Sequence, residues 1–222
     1  MNKENYKHII WDWNGTLLDD AWLCVDVMNQ LLVKRGMTML TIDRYREVFD
    51  FPVKEYYREL GFNFNEEPFE VPGTEFIDGY HAKWREAHLQ ENAAEILLKI
   101  NSAGITQSLL SAAKQQLLEE MTDYFGVTNR FVRILGLDNH YAYGKMEIGK
   151  VWMEKLGFKP HEVLFVGDTV HDHEVAVAIG VDCVLFASGH QTSEKLSRCG
   201  VPLFETLSEI FDYIVDGKGK RL

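Results

Sequence analysis

The chain has 222 residues, 46% of them apolar and 26% charged, enough to bury a core and to carry one large domain beside a small one. Its formal net charge of −11 opposes nucleic acid or an anionic membrane surface as partner, and no apolar stretch reaches the ~18 residues of a bilayer-crossing helix. Cys24, Cys183 and Cys199 are odd in number and far apart, with no CxxC pair and no secretory pattern ahead of Asp12. These features predict a cytoplasmic protein, a monomer or weak dimer, with reduced thiols.

In chain order, His8 to Trp11 reads as a short apolar strand ending at Asp12. Ala21, Cys24, Val25, Met28, Leu31 and Leu32 then recur at helical spacing, with Gly36 closing the helix. Further helical segments follow at Arg44 to Phe49, Val53 to Leu60 and Glu75 to Leu89, with residues 63–73 as a loop around Pro68, Pro72 and Gly73. The aromatic cluster Phe49, Phe51, Tyr56, Tyr57, Phe62 and Phe64 is expected to be the packed core of this region. The pattern predicts a helical cap over residues 18–90, inserted after strand one into a core made of 1–17 and 91–222.

From there strands and helices alternate. A helix from Ala93 to Ile100 stops near Gly104, and apolar runs Ile105 to Leu110 and Phe131 to Leu135 read as strands. Ile148, Val151, Trp152 and Leu156 share one face of a helix opened by Lys145 and stopped by Gly157. Val163 to Val166 leads into Gly167-Asp168, and Val181 to Phe186 leads into Ala187-Ser188-Gly189. Short continuous apolar runs separated by amphipathic helices define an α/β fold with a doubly wound, Rossmann-like parallel sheet. The basic tail of Lys218, Lys220 and Arg221 reads as a frayed terminus.

Ligands of such sheets sit outside the carboxyl ends of the strands. Asp12, Ser111 and Asp168 each fall just past a strand, with Asp172 four residues beyond Asp168 and Lys145 opening the preceding helix. Any one of them is explained as a helix cap or turn former. Taken together, carboxylates at one sheet edge repel unless a cation neutralises them, and hard oxygen ligands favour Mg²⁺.

The set Asp12-Trp13-Asn14-Gly15-Thr16, Ser111, Lys145 and Gly167-Asp168-Thr169-Val170-His171-Asp172 resembles the four motifs of the haloacid dehalogenase-like superfamily, in its capped, phosphoglycolate phosphatase-like form. The resemblance spans the whole chain. It implies that Asp12 attacks phosphorus to form an aspartyl-phosphate, and that Mg²⁺ is held by Asp12, the Asn14 carbonyl and Asp168. Asp172 would order the metal's surroundings; capping its helix explains it equally well. Ser111 and Ala112 would bind a phosphoryl oxygen, Lys145 would neutralise charge, and Gly15 and Thr16 would shape the turn, Thr16 through local hydrogen bonds. The substrate is expected to be a small phosphorylated molecule.

Position 14 departs from that pattern. Most phosphatases of the superfamily carry there an Asp that protonates the leaving oxygen, a contribution of ~10²–10⁴-fold. Asn14 has no such proton. Either the leaving group is good enough to need none, as in an acyl phosphate, or another group such as His171 or His190 supplies it, or the protein binds phosphate ligands without turnover. Phosphonate cleavage tolerates a non-acid here, with a Trp before it as in Trp13, but needs a cap lysine, for which Lys34 and Lys54 are the candidates. Arg44, Arg46, Lys54 and Arg58 are candidates to meet an anionic substrate, or else surface salt bridges.

Overall fold

The computed structural model describes residues 6–137 and 144–216; the basic C-terminal tail lies outside them. Six strands, β1 (His8–Trp11), β4 (Thr106–Lys114), β5 (Arg133–Leu137), β6 (Val163–Gly167), β7 (Asp182–Phe186) and β8 (Leu203–Phe204), form one sheet in the order β5-β4-β1-β6-β7-β8. Every pairing in it is parallel. Helices α5 (Ala93–Ser102), α6 (Gln115–Tyr124), α7 (Gly144–Leu156), α8 (Val170–Ile179), α9 (Ser193–Ser197) and α10 (Leu207–Asp216) connect and flank it. This is the doubly wound α/β architecture expected from the alternating pattern.

Strand β1 lies at the centre, between β4 and β6, in register His8↔Thr106 and His8↔Val163. Alternate side chains go to opposite layers, as strand geometry requires. Ile9 and Trp11 join one apolar cluster with Leu109, Leu164 and Val166, while Ile10 joins the other with Leu110, Phe165 and Val175. Burial on both faces explains why these strands read as unbroken apolar runs.

Between β2 (Leu18–Asp19) and β3 (His88–Leu89), which pair antiparallel, run α1 (Ala21–Lys34), α2 (Ile42–Val48), α3 (Val53–Glu59) and α4 (Glu70–Lys83). Two expectations are corrected here. α4 begins inside the segment read as a loop, because Pro72 falls in its first turn, where a missing N–H is tolerated. It also ends before Leu89, which belongs to the ribbon paired with Leu18.

His8 shows how the core treats a polar residue. It is fully buried, its Nδ1 2.7 Å from Thr106 Oγ1 and its Nε2 2.8 Å from Ser108 Oγ, with the Phe158 ring stacked beside it. Burial lowers its pKa from 6.5 to about 4. The folded state therefore refuses a proton that the unfolded chain accepts, so stability is intact above pH 6.5 and is lost as pH falls toward 4. Between pH 7 and pH 5 this group alone is expected to remove about 2 kcal/mol, and His8→Gln to flatten that part of the slope. Urea denaturation of both proteins at the two pH values checks it; equal slopes would mean that His8 is not held neutral.

Candidate active site

The site assembles on the carboxyl edge of the sheet. Asp12 follows β1 and is fixed there by its amide, which donates to the Val166 carbonyl at 2.8 Å. Asp168 follows β6 directly. Ser111 lies within β4 rather than past its end: β4 runs on to Lys114, while its pairing with β5 is irregular between Leu110 and Lys114. Its Oγ accepts a hydrogen bond from the Ala113 amide at 3.0 Å, so its own proton remains to be donated.

Lys145, in the first turn of α7, reaches into the centre. Its Nζ lies 2.5 Å from Asp12 Oδ1 and 2.6 Å from Asp172 Oδ1, and all three residues are buried. Although burial works against its charge, Asp12 and Asp172 raise the lysine above its ordinary pKa. Asp172 does two jobs. Its Oδ2 accepts from the Asp168 amide at 3.1 Å and from the Thr169 amide and hydroxyl at 3.0 and 2.7 Å, forming the capping box of α8, while its Oδ1 holds Lys145. The helix cap expected of this residue is therefore present, and the same side chain also pairs with Lys145.

Thr16 corrects another expectation. Its hydroxyl makes no local bond but donates across the site to Asp168 Oδ1 at 2.8 Å, while the His190 amide donates to Asp168 Oδ2 at 2.7 Å. Gly15, at φ +76°, passes so close that a Cβ there would sit 2.2 Å from Asp168 Oδ2; only glycine fits.

Asp12, Asp168 and Asp172 each offer a carboxylate oxygen, all within 4.8 Å of one another. Burial pushes Asp12 up to about 8, with Lys145 pulling against it and Asp172 and Asp168 adding to it. Burial likewise lifts Asp168 to about 6, with His190 opposing and Asp172 adding. Three buried carboxylates facing one lysine form an oxygen-rich set short of positive charge. A hard divalent cation such as Mg²⁺ fits that donor set.

Beside this cluster lies a network the sequence did not disclose. Asn14 Nδ2 donates to Asp20 Oδ2 at 2.7 Å and to the Tyr80 hydroxyl at 2.8 Å, and Tyr80 itself donates to Asp20 Oδ2 at 2.6 Å. Asp20 Oδ1 accepts from the Gly15 amide at 2.8 Å and pairs with His190 Nε2 at 3.2 Å. His190 Nδ1 lies 2.8 Å from the Tyr45 hydroxyl. Burial disfavours charge on both members of the ion pair, yet each holds the other ionised: Asp20 lies below its ordinary pKa and His190 is raised to about 9. Asp20 stands at the N-terminus of α1, but its side chain makes no capping bond.

The network revises the search for a proton donor. His190, one of the candidate proton donors, is buried, and both its ring nitrogens are engaged by Asp20 and Tyr45. His171 pairs with Glu174 at 3.3 Å and does not line the cavity above Asp12. Trp13 is fully buried, its N–H directed at Met121 Sδ. Lys34 pairs with Glu75 and Lys54 lies over the Phe64 ring, both away from the cavity, so neither is placed as a Schiff-base lysine. The aromatic cluster is split: Phe62 and Phe64 pack in the apolar core, whereas Phe49, Phe51, Tyr56 and Tyr57 also line the cavity.

A doubly wound parallel sheet with a lysine and three carboxylates gathered on its carboxyl edge is an α/β fold with a polar site at its strand ends. Residues 9–186 match the haloacid dehalogenase-like hydrolase family, and the chain belongs to it. It is 24% identical over 224 residues to the phosphoglycolate phosphatase of Vibrio parahaemolyticus serotype O3:K6, covering 96% of this chain and 98% of that one. Over 197 residues it is 23% identical to the tyrosine-protein kinase PtkA of Mycobacterium tuberculosis, covering 88% and 67%. A haloacid dehalogenase-like family hydrolase from Streptococcus pneumoniae shares its fold with a TM-score of 0.81 at 16% identity, over 94% of this chain and 98% of that one.

Proposed function

We propose that this protein is a Mg²⁺-dependent phosphatase of a small phosphorylated molecule, acting through an aspartyl-phosphate on Asp12. The carrying observation is the convergence of Lys145 on Asp12 and Asp172 beside Asp168, in a buried cluster at the mouth of a cavity of about 260 Å³. The phosphatase names of relatives in the same family support the reading.

Asp12 is the nucleophile, and Lys145 favours its ionised form against burial and offsets charge on the incoming phosphoryl group. Ser111 and Ala112 line the same cavity as Asp12 and bind phosphoryl oxygen. Asp12, the Asn14 carbonyl and Asp168 are the Mg²⁺ ligands, with Asp168 held in place by Thr16 and the His190 amide. When bound, the ion supplies charge stabilisation at the transferring phosphoryl group. Residues 18–90 form the cap that closes over this site, and 1–17 with 91–222 form the core.

Purified protein is expected to release phosphate from a panel of phosphorylated metabolites and acyl phosphates with Mg²⁺, but not with EDTA. Asp12→Asn should abolish release. Phosphate binding with no turnover across the panel would instead identify a phospholigand sensor.

A further inference from the structure

We propose that the leaving group is an uncharged aromatic ring carrying a polar substituent, so that the substrate is an aryl phosphate; this rests on the phosphatase reading above. The argument starts from the walls of the cavity. Beside Asp12, Ser111 and Lys145 they include rings from the segment between β2 and β3, among them Tyr45, Phe49, Phe51, Tyr56, Tyr57 and Phe76. These rings support one another edge to face, Phe49 against Tyr56 at 5.4 Å and Tyr45 against Tyr56 at 5.9 Å. A flat apolar group entering from the phosphate end meets aromatic surface already in place.

Charge points the same way. Of the residues lining the cavity, Lys145 is taken up by Asp12 and Asp172, and His190 by Asp20. Lys114 and His81 also line it, but both are solvent-exposed. The cap cations that the sequence offered for an anionic substrate are spent elsewhere. Arg44 pairs with Glu59 at 2.7 Å, Arg46 donates to the carbonyls of Gly189 and Ser188, Arg58 pairs with Glu55, and Lys54 lies over Phe64. A leaving group with its own carboxylate would enter this aromatic space without a buried counter-charge. One polar group in the wall does want a partner: among the described residues the Tyr56 hydroxyl has none, although Tyr56 is only 3% exposed. It is placed to bond a substituent on the ring.

The chemistry agrees. Asp12 attacks phosphorus, the bond from phosphorus to the aryl oxygen breaks, and the electron pair leaves on an aryloxide that takes a proton from water. Water then attacks phosphorus, the bond to Asp12 breaks, and inorganic phosphate leaves, so that aryl phosphate and water become phenol and phosphate. A phenol has a pKa of about 10, against ~15.7 for water, so its departure asks little of a general acid. That is the demand a site can meet when Asn14 has no proton to give and both nitrogens of His190 are occupied.

The test compares phenyl phosphate, 2-phosphoglycolate and acetyl phosphate as substrates, and benzylphosphonate with 3-phosphonopropionate as unreactive ligands measured by calorimetry. Benzylphosphonate should bind about 10- to 100-fold more tightly, the range expected for burying one aromatic ring. Phe49→Ala should lower kcat/KM for phenyl phosphate by about 10-fold or more, a larger loss than it causes for acetyl phosphate, which has no ring to place against that wall. Equal or tighter binding of 3-phosphonopropionate, or faster turnover of 2-phosphoglycolate than of phenyl phosphate, would overturn the aryl assignment and leave the phosphatase intact. If no substrate turns over, the phosphatase reading falls, and the two phosphonates still decide whether the cavity selects a ring.

Discussion

Lys145→Met is expected to lower kcat by at least ~10²–10³-fold and, in EDTA, to cost about 3–5 kcal/mol of stability. The lysine is the only ammonium among the described residues within ion-pairing distance of Asp12 or Asp172, at 2.5 and 2.6 Å, and it also lies over the Phe165 ring at 5.5 Å. Removing it leaves two buried carboxylates facing Asp168 with nothing to offset them. The two losses separate with metal. Mg²⁺ replaces part of the missing charge, so it should narrow the stability gap between variant and parent, whereas kcat stays low because the phosphoryl group still lacks its lysine. Urea denaturation with EDTA and with Mg²⁺, set beside phosphate release, reads both effects. A variant as stable as the parent in EDTA would mean that the carboxylates are neutral in the folded protein and that the cluster does not need a cation.

Restoring an acid at position 14 should not succeed by a single change. In Asn14→Asp a carboxylate replaces an amide 2.7 Å from Asp20 Oδ2 and takes away the donor shared by Asp20 and Tyr80. Two buried carboxylates then compete, and we expect a loss of about 3 kcal/mol in stability near pH 7, easing as pH falls and the pair takes up a proton. The double variant Asn14→Asp/Asp20→Asn exchanges amide for carboxylate and keeps a donor between the positions, but it also removes the carboxylate paired with His190 at 3.2 Å, so it should recover only part of that loss. It also returns a carboxyl group beside the leaving oxygen. Turnover of alkyl phosphates should then rise by up to ~10²-fold over the parent, and that of acyl and aryl phosphates much less. Equal gains for all three classes would sink the view that leaving-group chemistry compensates for Asn14.

Both predictions depend on side chains whose meaning changed once their neighbours were known. Asp20 precedes an apolar helical run, yet its carboxylate makes no cap and instead organises Asn14, Tyr80 and His190. No local pattern carries that information, because the partners come from the turn after β1, from α4 and from the loop after β7, separated by as many as 170 residues. Thr16 makes its bond to Asp168 across 152 residues for the same reason. Tyr45 and Phe49 look like any aromatic residues of a small helical core; only the cavity between them and Asp12 distinguishes wall from filling.

The sequence by itself determined the α/β order of elements, since burial on both faces of a parallel sheet leaves continuous apolar runs and flanking helices leave a 3.6-residue period. It also named Asp12 and Asp168, because strand ends deliver polar residues to one edge whatever the details of packing, and beside them Ser111, Lys145 and Asp172. Only the tertiary structure decided where the hydrogen bonds of Asn14, Thr16, Asp20 and His190 go, which cap cations are already paired, and which rings face the cavity. Those are matters of distance and direction between remote segments. A buried polar atom acquires its role from the partner that packing brings to it, and periodicity along one segment does not record that partner.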